Sequence, residues 1–177
     1  MRLPPPEPAS LDTEVADLLS LALAPSGETA ETIAVLAHSP ALVGPFLGWA
    51  MALHSHGVLS KRVHEIVALR VAHLCGSAYE WDEHARWAAE AGLTEAEIGA
   101  VAAGPSGWAP ADAAVLRAVD ELHATQDLTD DALSTLRGHL GDPAVVEVVM
   151  VVGQYTMLSM LATTTGGSPH RGIRPAP

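Results

Sequence analysis

Residues 65–84, EIVALRVAHLCGSAYEWDEH, decide how this chain folds and where its chemistry could lie. From Glu65 to Leu74 the stretch reads as core helix, because Ile66, Val67, Ala68, Leu69, Val71 and Ala72 leave almost no polar face. Gly76 interrupts it, and Ser77 can cap a second helix that carries Glu80 and His84 one turn apart on one side. Glu65 precedes Glu80 by fifteen residues. On an unbroken helix that offset would set them ~60° apart around the axis, at ~100° per residue. Two carboxylates and an imidazole could therefore converge, and that is the equipment of acid–base chemistry.

Composition around this stretch favours an all-α protein. Apolar residues make up 49% of the chain but aromatics only 4%, so the core must be built from Ala, Val and Leu. Ala and Leu are strong helix formers, and no run of useful length alternates with a β period. A net charge of −12, with nine Lys and Arg that form no patch, excludes nucleic acid as an expected partner, since phosphates require clustered cations. The single cysteine, Cys75, forbids an intramolecular disulfide and any C-x-x-C motif, which fits a reducing cytoplasm. No secretory signal is visible. Residues 1–10, MRLPPPEPAS, read as an extended or disordered Pro-rich segment, residues 11–166 as one helical domain, and residues 167–177 as a loose tail. The apolar run 144–162 is broken by Glu147, Gly153, Gln154, Tyr155, Thr156 and Ser159, so it reads as a buried core helix rather than a membrane span.

Helical spacing and stop signals give a bundle. Leu11–Leu23 and Thr29–Ala37 are separated by Pro25-Ser26-Gly27. Pro40–Leu53 carries Leu42, Val43, Phe46, Leu47 and Ala50 on one stripe, and Gly57 can end it. Ser60 can cap the helix running to Leu74, Ser77 the one running to Ala91, and Gly92 can stop the latter. Thr94-Glu95-Ala96-Glu97 is a capping box. Residues 105–110 form a loop that Trp108 can pin to the bundle, and helices over 112–125, 129–140 and 143–164 complete the set.

Each candidate residue has a structural reading beside its chemical one. Ser77 and Glu80 are themselves S-x-x-E, a capping box in which the glutamate reaches back to the cap. His84 on a partly apolar face is commonly a satisfied structural histidine. Glu65 must either turn outward, the commoner outcome for a lone carboxylate, or be buried with a partner. Burial without a cation raises a carboxylate's pKa towards the range useful to a general base. Tyr79 and Trp81 flank Glu80 as core residues or walls of a site. The hydroxyl of Tyr155 needs a partner if buried. Cys75 reads as a small buried hydrophobe with no basic neighbour to activate it. His54-x-His56, His64, His73 and His84 share no recognised metal spacing, so no metal is expected.

Four segments carry a family resemblance: SKRVHEIVALRVAHLCGSAYEWDEHARWAAEAGL, TEAEIGAV, WAPADAAVLRAVDEL and GQYTMLSMLATTTG. In this order they resemble the carboxymuconolactone decarboxylase family, which includes the AhpD-type alkylhydroperoxidases. The resemblance implies an AhpD-like helical bundle. AhpD proteins have a glutamate, twelve residues later the first cysteine of C-x-x-C, and a histidine four beyond the second. The matching positions here are Glu65, Ser77, Glu80 and His84, so glutamate and histidine are kept and both cysteines are gone. Thiol-dependent peroxide reduction needs an attacking and a resolving thiol, and is therefore not expected.

Tyr79-Glu80-Trp81 with His84 resembles instead a cysteine-free, decarboxylase-like branch. That likeness implies a cofactor-free lyase or isomerase acting on a small organic acid or lactone. It casts Glu65, Glu80 and His84 as catalytic and Ser77, Tyr79, Trp81 and Tyr155 as substrate-binding. A natural-product tailoring enzyme, such as a cyclase, and a non-catalytic oligomeric binding protein are the alternatives. The resemblance also implies a homo-oligomer (trimer, hexamer or dimer), with no membrane or nucleic-acid partner.

Overall fold

A computed structural model describes residues 1–22 and 29–167. The Pro25-Ser26-Gly27 break and the tail beyond Gly167 lie outside the described residues. The helices are α1 (Thr13–Ser20), α2 (Glu31–Ala34), α3 (Pro40–Ser55), α4 (Lys61–Leu74), α5 (Ala78–Glu90), α6 (Glu95–Ala103), α7 (Pro110–Thr125), α8 (Asp130–Leu140) and α9 (Asp142–Thr165). Short 3-10 turns cover Pro8–Ser10 and Val35–His38, and no strand occurs among the described residues. The protein is all-α.

Its described residues fall into two compact units, one made of 1–22, 29–56 and 161–167, the other of 57–160. In the first, Val15, Leu19, Ala37 and Val43 form the core, with Leu11, Leu18, Ile33, Leu36 and Leu47 packed against it. The Pro-rich start is anchored rather than disordered. Arg2 and Leu3 N–H groups donate to the Thr165 carbonyl at 2.6 and 3.0 Å, and His38 Nε2 lies 2.9 Å from the Pro4 carbonyl. The stripe expected on α3 is only partly realised: Val43 is fully buried, but Leu42 is 58% exposed. Apolar residues occur on every face of α3, so periodicity alone does not single out the buried one.

The second unit is organised by α4. Every residue from His64 to Ala72 is buried, and α5, α6 and α7 all pack against this helix. Ser60 caps it as expected, its Oγ accepting the Val63 N–H at 3.2 Å. At its end Gly76 takes φ +63°, a left-handed turn that a side chain would resist, and the Ser77 N–H closes on the Ala72 carbonyl at 2.9 Å. This reversal sends α5 back along α4. Arg70, buried in the middle of α4, donates to Asp120 of α7 at 2.6 Å and to the Val101 and Ala102 carbonyls at 3.1 and 2.8 Å. It thereby adds a donor to carbonyls in the last turn of α6, where Val101 also accepts the Gly104 N–H at 3.2 Å. The Thr94–Glu97 capping box is formed. Arg62 bonds Glu97 and Asp112 and lies 5.8 Å over the Trp108 ring, which holds the loop before α7.

Gly57 does not act as a left-handed helix stop. Its role is close approach: a Cβ there would fall 2.6 Å from a Glu147 carboxylate oxygen. The Val58 and Leu59 N–H groups donate to that carboxylate at 2.7–2.9 Å, tying the start of α4 to α9. Helix α9 is, among the described residues, the one long and apolar enough to cross a membrane by length and composition. Val148, Val151, Val152, Tyr155 and Leu158 are buried, whereas Val146, Val149, Met157 and Met160 are exposed, so the expected core helix buries one face only.

Gly57→Ala is expected to lower stability by about 1–3 kcal/mol and Glu147→Ala by about 1–2 kcal/mol, from displaced or lost acceptors for the 58–59 amides. Combining them should cost less than the sum, since both act on one contact. Urea denaturation of the three variants measures this.

Candidate functional site

The enclosed position of Glu65 is the first fact of the site. The outward orientation expected for a lone carboxylate is overturned: Glu65 is 2% exposed, and its Oε2 accepts from His84 Nδ1 at 2.7 Å. The continuous-helix geometry considered for Glu65 and Glu80 does not apply, because the helix is broken between them. Glu65 and His84 meet because Gly76 folds α5 against α4. On the other side of the imidazole, Nε2 lies 3.8 Å from Glu80 Oε2, within ion-pair range but too long for a hydrogen bond.

The capping box suggested by Ser77 and Glu80 forms by half. Ser77 Oγ accepts the Glu80 N–H at 3.4 Å, but the Ser77 N–H is already bound to Ala72. The Glu80 side chain therefore turns to His84 instead of back to the cap. Its Oε1 is buried and has no hydrogen-bond partner among the described residues. A buried carboxylate oxygen in that condition costs free energy, and such groups concentrate where a ligand supplies the missing donor.

The other predicted residues are placed differently. Ser77 is buried and occupied as a cap. Tyr79 and Trp81 are buried; Trp81 packs edge-on against His73, with ring centroids 6.1 Å apart. Tyr155 joins the site: its ring stands edge-on to His84 at 4.4 Å, and its hydroxyl lies 2.9 Å from His64 Nε2. His64 is the residue that the sequence reading set aside. The available signal was its place beside Glu65, in a helix apolar all round, where a buried imidazole needs a polar partner. Cys75 is half-buried rather than buried, with its sulfur 3.9 Å from His123 Nδ1. Burial pushes its thiol pKa up, against hydrogen bonds from Ser159 and Thr156 that pull it down. No group of three or more His, Cys, Asp or Glu side chains suited to a metal ion occurs among the described residues.

Burial and charge oppose each other at the centre. Burial alone would lower the pKa of His84, but Glu65, by charge and hydrogen bond, with Glu80 and Glu83 behind it, raises it above the ordinary value. Glu80 is pushed up to about 6, chiefly by burial; His84 opposes the shift and Glu83 adds to it. The Tyr155 hydroxyl is pushed well up by burial and by the Glu65 and Glu80 charges, so it remains a donor at neutral pH. The constellation thus holds an imidazole whose protonated form is favoured, a carboxyl pushed up to about 6 and a neutral phenol.

Both His84 and Glu80 bind protons more tightly in the folded than in the unfolded chain, so their contributions to stability decline as pH rises. The Glu80 contribution is full below its ordinary value of 4.5 and is lost through about 6. That of His84 is full below 6.5 and is lost as pH passes its raised folded value. Glu80→Gln should abolish the decline between pH 4.5 and 6, a change of about 2 kcal/mol by linkage. Urea midpoints across that range, compared with wild type, test it.

Residues 40–121 match the carboxymuconolactone decarboxylase family. A search of curated proteins finds no significant match. Among solved structures, the chain is similar to the alkylhydroperoxidase AhpD core of an uncharacterised peroxidase-related protein from Ralstonia eutropha JMP134. The identity is 19% and the TM-score 0.84, over 96% of this chain and 92% of that one. An uncharacterised peroxidase-related protein from Silicibacter sp. TM1040 is similar at 16% identity and TM-score 0.83, over 97% and 91% of the two chains. A cysteine-to-alanine variant of the debrominase Bmp8, solved in complex with 2,3,4-tribromopyrrole, is similar at 12% identity and TM-score 0.80, over 97% and 92%. At these identities the likeness shows the fold, which is AhpD-like.

Proposed function

We propose that this chain is a carboxymuconolactone decarboxylase-like enzyme of the AhpD-like superfamily. In this reading it performs cofactor-free acid–base chemistry, as a lyase or isomerase, on a small organic acid or lactone. The observation that carries the reading is the Glu65–His84–Glu80 line. One carboxylate lies 2.7 Å from Nδ1 and a second, with a pKa of about 6, lies 3.8 Å from Nε2. The family match over residues 40–121 supports it. So does the departure at Ser77 and Glu80, where the C-x-x-C of the peroxidases would stand.

Proton removal beside a carbonyl puts negative charge on the carbonyl oxygen, and catalysis consists largely of moving the proton and meeting that charge. Glu80 is the base: a carboxyl whose pKa lies near neutrality is ionised enough to accept a proton and basic enough to keep it. The His84 imidazolium, oriented by Glu65, delivers a proton and balances charge as the dienolate forms. Tyr155 donates its hydroxyl hydrogen bond to the oxyanion, and its distance from His64 Nε2 gives it an orienting partner. Trp81, packed on His73, is a wall rather than a reacting group.

A tailoring reaction on a larger substrate is the second reading, for which the debrominase among the structural neighbours offers a parallel. A purely non-catalytic role would have favoured Glu65 and His84 at the surface, and their burial counts against it. The homo-oligomer that the resemblance implies is supported by the exposed Val146, Val149, Met157 and Met160 of α9. Light scattering on the purified chain should return a mass above that of the 18.4 kDa protomer. One unpaired cysteine is in keeping with a cytoplasmic protein.

The experiment is deuterium exchange at carbon. In D2O, a panel of γ-lactones and unsaturated organic acids is followed by proton NMR for loss of the signal beside the carbonyl. Exchange by wild type is expected to fall about 10²-fold or more in His84→Ala and Glu80→Gln, and to be unchanged in Cys75→Ser. Equal exchange by all four proteins would refute the acid–base assignment.

A further inference from the structure

The charge around His84 has a consequence for what the site can bind. Three carboxylates, Glu65, Glu80 and Glu83, bear on this one imidazole. Glu65 is matched by the imidazolium at 2.7 Å, and Glu83 lies 3.7 Å from Arg86. Glu80 is left in excess.

Among the described residues of this unit, each arginine already has an acidic partner. Arg62 is held by Glu97 and Asp112, and Arg70 by Asp120 and two carbonyls. Arg117 and Arg137 pair with Asp131 and Asp142. Lys61, the one lysine, is exposed at the first residue of α4. His73, beside Arg70 and Trp81, has its pKa lowered by burial and by the Arg70 charge, with Asp120 opposing.

At the same time the site offers acceptors. Glu80 Oε1 is buried and without a hydrogen-bond partner, on a residue only 3% exposed. An acceptor left in this state calls for an N–H or O–H donor. A bound carboxylate would instead bring a like charge beside Glu80 in surroundings that screen it poorly. Stress of that kind can promote loss of carbon dioxide only where a cationic contact elsewhere holds the substrate in place, and each described arginine of the unit is already engaged.

We propose that the site selects an uncharged substrate, a lactone or related carbonyl compound bearing an N–H or O–H donor that Glu80 Oε1 receives, and discriminates against carboxylate anions. This rests on the acid–base reading and narrows it. Of the small organic acids and lactones it admits, the site takes the neutral member, and proton-transfer isomerisation or elimination replaces decarboxylation of a free acid. Glu65, 2.7 Å from His84 Nδ1, favours the protonated imidazole, Tyr155 supplies a neutral donor to the carbonyl oxygen, and Glu80 both receives the substrate's donor and acts as base. Atoms balance with no further reagent, because the proton removed at one carbon is returned at another or leaves with the departing group.

The test compares two probes of one shape and different charge, pyroglutamide and pyroglutamate. Titrations at about pH 7.5 are read from the His84 ring resonances of 15N-histidine-labelled protein, assigned by their loss in His84→Gln. Pyroglutamide is expected to shift them, and pyroglutamate to bind at least about tenfold more weakly. In Glu80→Gln, which removes the excess charge, the ratio should fall to about threefold or less. Equal or tighter binding of pyroglutamate, an unchanged ratio in Glu80→Gln, or no shift by pyroglutamide at about 50 mM overturns the proposal. Should Glu80→Gln not fold, the wild-type ratio decides alone. No turnover is involved, so the selectivity can fail while the exchange experiment succeeds, and the reverse.

Discussion

A carboxylate placed inside the most enclosed helix of a protein must be matched by a partner, and the architecture of residues 57–160 follows from how Glu65 is matched. Its partner, His84, lies on the next helix, so α5 must run back along α4 with the imidazole opposite the second turn. That requires a reversal of very few residues, which Gly76 provides in the left-handed region and Ser77 ends as a cap. Arg70 imposes the same condition from another part of α4, drawing in Asp120 from α7 and the last carbonyls of α6. Two buried ionic groups on one helix thus set the positions of three neighbours. Removing one member of such a contact leaves the other charge stranded, which is far costlier than the contact is favourable. Apolar burial supplies the driving force around them, and the ionic contacts select which packing is adopted.

That selection has an electrostatic residue. Pairing Glu65 with His84 leaves Glu80 facing an imidazole already spoken for, at a distance too long for a hydrogen bond. A carboxylate so placed gains little from its neighbour and suffers the full effect of burial, which is why its pKa rises to about 6. The proposed acid–base chemistry rests on this tension. Two carboxylates near one histidine would be redundant if both were equally stabilised. Their unequal surroundings are what the proposed division of work rests on, with Glu65 orienting His84 and Glu80 exchanging protons. Tyr155, edge-on to the same imidazole and beside the second histidine, adds a donor whose pKa is forced away from neutrality by the same negative charges.

Much of this was legible in the sequence, for identifiable reasons. Ser60, Gly76, Gly92 and the Thr94–Glu97 box are local devices whose geometry depends on neighbours in the chain, so they read correctly. The Glu80–His84 spacing is likewise local. The burial of Glu65 was not readable, because it depends on α5 folding back, and the offset along one helix placed Glu65 near Glu80 for the wrong reason. His64 escaped because its partner, Tyr155, is ninety-one residues away. Gly57 was read as a stop since glycine usually serves that end, whereas its requirement comes from the Glu147 carboxylate on a distant helix. Helices α3 and α9 defeated the periodicity argument in one way: apolar residues on all faces mark no preferred side.

The two departures from the AhpD pattern are best understood together with the one cysteine the chain retains. Cys75 stands two residues before the first motif position, at the end of α4, where burial raises its pKa and His123, at 3.9 Å, is its histidine neighbour instead of His84. A thiol in that condition is mostly protonated at neutral pH and is a poor nucleophile. At the motif positions themselves, Ser77 is used up as a helix cap, and Glu80 presents to His84 a base that cannot form a disulfide. In the proposed reading the histidine and the glutamate beside it are kept, while a group able to transfer protons stands where the resemblance would place a thiol. A carboxylate, unlike a thiol, has no disulfide chemistry, so what Glu80 can exchange with the imidazole 3.8 Å away is a proton.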